Sequence, residues 1–177
     1  RHQGIHQTRV HERHVVVTAK DGARAELTVP FELDDGTRPG LEIDALVDGL
    51  LQPRRIGLLL VRLGGHSIGI AVGGKVEVST TDSHLVHGRN KAGGWSQQRF
   101  ARRREGQAKV ALQAAADDAV RVLAPRIEEL DAVVLGGDRQ ALDALRSDRR
   151  LSEVFAKADE RVLDVAEPRR AVLDDAA

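Results

Sequence analysis

The order of apolar runs predicts an α/β fold, a mixed β-sheet with flanking helices, carrying an N-terminal β-hairpin extension. Three observations lead there. Short β-branched and apolar runs follow one another between residues 56 and 80, separated by Gly-Gly pairs, as in an antiparallel meander. One helical pattern then extends from about Ser96 to Val122. Beyond it, apolar strands alternate with short helical stretches, which requires at least one parallel pairing.

Taken in order, residues 1–13 are polar, and four of the seven histidines fall between His2 and His14, which suits a frayed terminus. Val15-Val16-Val17-Thr18, the turn signal Asp21-Gly22 and the alternating Glu26-Leu27-Thr28-Val29 predict a hairpin over about 13–30. Residues 34–40 are expected to be a loop. Ile43, Leu46, Val47, Leu50 and Leu51 recur at helical spacing, and Pro53 marks the stop. Strands at 56–63, 66–72 and 75–80 turn at Gly64-Gly65 and Gly73-Gly74. In the third of these, Val76 and Val78 share one face, and Lys75 and Glu77 the other, which is expected to be solvated or to cover RNA. The long helix has an apolar row of Phe100, Ala111, Ala115, Ala119 and Val122, with Ala108, Leu112 and Leu123 beside it, and ends at Pro125. A strand at 132–135, a Gly136-Gly137 turn, helices at 139–146 and 151–157, a strand at 161–165 and a partial helix from Arg169 complete the reading. The organisation predicted is an extension over 1–54, a hairpin plus a helix, on an α/β domain over 55–177, the whole forming one compact unit with no clear linker.

Composition bounds the chemistry. The 177 residues are long enough for a substantial core, and with only 2 % aromatic residues that core has to be built from Val, Leu, Ile and Ala. The chain has no Cys, which excludes disulfides and thiolate metal sites and suits the cytoplasm. No apolar run approaches the ~18–20 residues of a membrane span, and no secretory leader pattern is present, so no membrane partner is expected. With no Met in the chain, Arg1 is not expected to be the genetic start.

The segment from His87 to Glu105 carries the chemistry. From Arg89 to Lys109 the cations are Arg89, Lys91, Arg99, Arg102, Arg103, Arg104 and Lys109, against Glu105 alone, in a chain whose formal net charge is zero. A field of that size calls for a polyanion. Gly93 and Gly94 let the backbone adopt conformations closed to other residues and approach a ligand closely. Ser96 is a good N-cap, which makes Gln97 and Gln98 the first residues of the helix, at its unsatisfied N–H groups and partial positive charge. A primary amide is too weak a base to deprotonate water. It can accept from and donate to a water at once, and so fix its orientation.

These residues resemble the central, catalytic domain of the class I release factors of eukaryotes and archaea, which carries a Gly-Gly-Gln loop followed by a basic helix with an Arg-Phe-Ala-Arg pattern. Here His87-Gly88-Arg89, Gly93-Gly94 and Arg99-Phe100-Ala101-Arg102 match, as do the meander at 56–80 and the run Ala132-Val133-Val134-Leu135-Gly136-Gly137. The likeness covers about 55–165. It departs at Trp95, which stands where the release factors have Gln. Gly94-Trp95-Ser96-Gln97 is instead similar to the Gly-Gly-Ser-Gln loop of the Vms-like branch, and the chain looks like its stand-alone bacterial form, which the excess of Arg over Lys, 22 to 5, also suits. The resemblance implies a cytoplasmic, monomeric peptidyl-tRNA hydrolase without cofactor, acting on peptidyl-tRNA stalled on the large ribosomal subunit. It implies that Gly93, Gly94, Ser96 and Gln97 form the catalytic loop, with Gln98 the alternative for the glutamine, and that Gln97 positions water. Arg89, Lys91, Arg99, Arg102, Arg103 and Arg104 would hold phosphates of ribosomal RNA and tRNA, and Trp95 would stack on a base. Part of the family cleaves the tRNA near its 3′ end instead.

Plainer readings compete. A run of arginines on a helix is commonly a solvated face, and Trp95 serves equally as a core anchor. A binding factor that keeps the fold without catalysis is the rival to the enzyme. His2/His6 and His11/His14 invite a metal reading, but only the first pair has helical spacing and no acid completes either; no metal site is expected. Gly136-Gly137 fits a plain β-α turn, since neither a dinucleotide fingerprint nor a P-loop surrounds it.

Overall fold

The computed structural model describes residues 3–29, 31–83 and 96–177, and for residues 45 and 96–104 the backbone alone. The chain divides into two compact units, Arg1–Gln52 and Pro53–Ala177.

In the first unit the expected hairpin is present as β2 (His14–Ala19) and β3 (Arg24–Thr28), turning at Asp21-Gly22. It is half of a four-stranded antiparallel sheet of order β3-β2-β1-β4. The segment expected to fray supplies β1 (Ile5–His11), and the expected loop supplies β4 (Gly36–Pro39). β1 is held because its alternate residues face inward: Thr8 is buried, donates its hydroxyl to the Gly40 carbonyl at 2.8 Å and accepts from the Glu42 amide at 3.1 Å. β4 is an edge strand, where Pro39 costs no ladder bond. The β1–β2 turn places Glu12 at φ 52°, and the Asp35 carboxylate accepts from its amide at 2.6 Å and pairs with His11 Nδ1 at 3.0 Å. The Glu12 amide and then His11 lower the Asp35 pKa; Asp35 in turn raises that of His11. Helix α1 (Asp44–Leu51) follows.

The second unit is a five-stranded mixed sheet of order β7-β6-β5-β8-β9, built from β5 (Arg55–Arg62), β6 (Gly65–Val72), β7 (Lys75–Ser83), β8 (Ala132–Gly137) and β9 (Ala158–Leu163). β5 to β7 form the antiparallel meander, and β8 pairs in parallel with both β5 and β9. β5 is apolar without alternation because both of its faces are covered. Leu59 and Val61 point into the larger core with α2 (Ser96–Val122), α3 (Arg139–Arg146) and α4 (Ser152–Ala156), while Leu58 and Leu60 meet Leu173 of α5 (Arg170–Ala176). Ala111, Ala115, Ala116 and Ala119 let α2 lie close on the sheet. After β8, Gly137 has φ 101°, and a Cβ there would run into the Val61 carbonyl oxygen, so only glycine makes this turn into α3. In β7 the pairing with β6 shifts between Val78 and Val76, a bulge at Glu77 that breaks the simple alternation expected for this strand.

Candidate functional site

Of the site residues expected from sequence, His87, Arg89, Lys91, Gly93, Gly94 and Trp95 lie outside the described residues. The backbone of α2 is helical from Ser96, which puts Gln97 and Gln98 in its first turn and Arg99, Arg102, Arg103 and Arg104 in the next two. No acidic residue shares the first turn. An α-helix start followed in sequence by cations is the kind of element that binds anions.

What fixes this helix is its far half. The first buried side chain described on α2 is Ala111, fifteen residues past Ser96, or roughly 22 Å along an α-helix at 1.5 Å per residue. Before it, Glu105, Gly106, Lys109 and Val110 are exposed. From Ala111 onward the helix is locked by packing and by one polar knot. The Asp118 carboxylate accepts from His66 Nε2 at 2.8 Å, from the Thr80 hydroxyl at 3.2 Å and from Arg121 Nη2 at 2.6 Å. His66 is fully buried in β6 and Thr80 lies in β7, so the knot ties α2 to two strands. Because the carboxylate can only accept, Nε2 carries the proton, and Nδ1 is buried without a hydrogen-bond partner. Burial pushes the Asp118 carboxyl up, but the bonds from His66, Arg121 and Thr80 and the Arg121 charge outweigh it and hold its pKa below the ordinary value.

A second tie runs from Asp117, which accepts from Arg150 at 2.8 Å; Arg150 also grips Asp148 at 2.7 Å. Sequence reasoning missed both ties. A lone histidine in an apolar strand gives no periodic signal, and its partner lies 52 positions downstream. The histidines of the first unit are not arranged as helical pairs: His6 and His11 sit in β1 and His14 in β2. Among the described residues no group of three or more His, Asp or Glu side chains is placed to hold a metal ion. Nor, among them, is any helix long and apolar enough to cross a membrane.

The meander joined in parallel to a β-α-β second half, with a long helix that opens on glutamines and arginines, defines a release-factor-like α/β domain. The chain belongs to the Actinobacteria/chloroflexi VLRF1 release factor family, whose model matches residues 54–177. Its fold is similar to that of the archaeal translation termination factor aRF1, with a TM-score of 0.55 at 18 % identity over 92 % of this chain and 46 % of that one. An archaeal protein matches at 0.49 and 17 % identity over 92 % of this chain and 46 % of its own. Pelota of Archaeoglobus fulgidus matches at 0.35 and 14 % over 96 % and 48 %. The chain thus spans about half the length of these structures. No curated protein sequence is detectably similar to it.

Proposed function

We propose that the chain is a peptidyl-tRNA hydrolase that frees nascent peptides from tRNA on stalled large ribosomal subunits. The observation that carries this is the start of α2 at Ser96, inside the stretch matched by a release factor family, with Gln97 in its first turn and the arginines behind it. The polar segment precedes the half of the helix whose alanines and valine lie in the core.

In the proposed reaction the loop at 93–98 enters the peptidyl-transferase centre, and the Gln97 amide orients a water against the ester carbonyl carbon. The water oxygen bonds to that carbon, the bond to the tRNA 3′ oxygen breaks, and a proton passes to the leaving oxygen, yielding a peptide acid and an intact tRNA. An activated ester needs little acid–base help from the protein, which suits an amide. Cutting an RNA phosphodiester through the 2′-OH calls for a general base and a cation at the leaving oxygen. The loop has arginines, but no carboxylate or histidine nearer in sequence than His87 and Glu105. Arg89, Lys91, Arg99, Arg102, Arg103 and Arg104 hold RNA phosphates, and Trp95 stacks on a base.

Trp95 in place of the release-factor glutamine favours one rival, a binding factor without catalysis. Purified 50S–peptidyl-tRNA complexes test all readings together. Ester hydrolysis gives free peptide and a full-length tRNA that a synthetase recharges directly. A tRNA shortened at its 3′ end would turn the assignment to a nuclease, and binding without any product would turn it to the factor.

A further inference from the structure

The first unit lies outside the stretch that the family model matches, and it holds an apolar face that the proposed reaction does not use. Helix α1 has two apolar sides. Leu46 and Gly49 face its own unit: Leu46 lines a cleft with Val10, and a Cβ on Gly49 would press on Leu33. On the other side Ile43, Val47, Leu50 and Leu51, at i, i+4, i+7 and i+8, form a continuous stripe. Each of the first three is 41–43 % exposed and Leu51 is 75 % exposed. An eight-residue helix already packed through one face has no need of a second apolar face for its own fold, and exposed apolar stripes of this kind mark interaction surfaces.

The charge around the stripe selects the partner. Between residues 32 and 48 there are six acids, Glu32, Asp34, Asp35, Glu42, Asp44 and Asp48, and one cation, Arg38. Asp44 and Asp48 are exposed and stand three residues before Val47 and Leu51, along the flank of the stripe. Asp48 also borders the inward cleft that Leu46 and Gly49 line, where Glu32 and Asp34 add to the negative field. RNA is repelled by this surface, whereas α2 attracts it.

We propose that α1 docks an amphipathic helix of a partner protein, whose apolar stripe lies on Ile43, Val47, Leu50 and Leu51 and whose flanking Lys or Arg side chains meet Asp44 and Asp48. The recognition is helix against helix, with charge setting orientation and partner choice. It is independent of the reaction at α2.

The chain has no cysteine, so Gln52→Cys carries a single environment-sensitive fluorophore at the end of α1. The probes are two synthetic amphipathic helical peptides of about 18 residues, long enough to hold some helix, with the same leucine stripe and either Lys or Glu at every flanking position. The Lys peptide is expected to shift the emission and bind at least about tenfold more tightly than the Glu peptide, a difference that falls with salt. Asp44→Lys with Asp48→Lys is expected to invert that preference, and Val47→Asp with Leu50→Asp to abolish binding. All four side chains face solvent; should the apolar double variant melt early, Leu51→Ser tests the same stripe. Equal affinity for the two peptides, an unchanged preference in the Lys double variant, or binding that survives loss of the stripe would overturn the proposal. So would a fluorophore already shielded in the peptide-free chain, which means the chain covers its own stripe, or a concentration-dependent dimer in sedimentation, which makes the occupant a second copy.

Discussion

The two halves of α2 form one continuous helix but differ sharply in composition. From Ala111 to Val122 small apolar residues recur at every turn, and Asp117 and Asp118 are tied to Arg150 and to His66, Thr80 and Arg121. From Ser96 to Lys109 the sequence has five cations and three glutamines against one acid, and no alanine stripe. A helix needs only one well-packed half to be held, because propagation past the anchored turns costs little. The other half can then, under the proposed function, be composed for RNA. If the proposed function holds, stability and activity are separated along a single element, and substitutions in the two halves should fail in different assays.

The largest effect is expected at the tip. Gln97→Ala should lower peptide release from 50S–peptidyl-tRNA complexes by about 10²–10³-fold, the loss typical of one positioned polar group at a reacting centre, with the melting temperature unchanged. If Gln98→Ala loses release and Gln97→Ala does not, the assignment moves by one residue; if neither does, the hydrolase reading fails. Next, replacing Arg99, Arg102 and Arg103 together by Ala should weaken 50S binding and flatten the log–log salt slope by roughly 2, as expected for three lost phosphate contacts at about 0.7 each. An unchanged slope would mean that these arginines form a solvated face.

In the anchored half the assays should exchange roles. Ala119→Leu puts three extra carbons into a fully buried position against the sheet and should cost about 1–3 kcal/mol in urea unfolding. At temperatures where that variant is folded, its RNA binding should match the wild type. The smallest effect depends on pH. The folded Asp118 carboxyl titrates below the ordinary aspartate value of 3.8, so its contribution is fully present above that value and is lost as pH falls through the lower folded value. Asp118→Asn should therefore lower the melting temperature most near pH 6 and least near pH 3. A gap between wild type and variant that does not close with acid would show that the shape of the side chain, not its charge, holds His66.

Much of the fold was legible because burial left strong periodic marks. The β5–β6 meander reads as a nearly unbroken apolar run since both faces are covered, and the α2 alanines repeat at helical spacing. What was missed left a weaker trace. β1 (IHQTRVH) does alternate, with Thr8 and Val10 on one face, but one of those is polar and the other face is full of histidine and arginine, so the strand read as a tail. β4 (GTRP) is short and carries both Gly and Pro, and only its edge position makes it a strand. At the site, the helix start and its charge were visible in order along the chain. The knot at Asp118 was not, because residues 66, 80 and 118 meet only through the sheet.

The position of β5 also fixes a schedule for synthesis. Its antiparallel partner β6 leaves the ribosome directly after it, but its parallel neighbour β8 begins at Ala132, seventy residues beyond Arg62. At about 5–20 residues per second that is a wait of roughly 4–14 s during which one edge of the most apolar strand is unpaired and the face that α5 later covers is bare. Arrested nascent chains ending before residue 130 should therefore be cut readily by protease within 55–72, and chains that extend past Ala177 and clear the exit tunnel should resist. For this interval the meander is a client for chaperones, and a synonymous slowdown between residues 84 and 131 would lengthen its exposure.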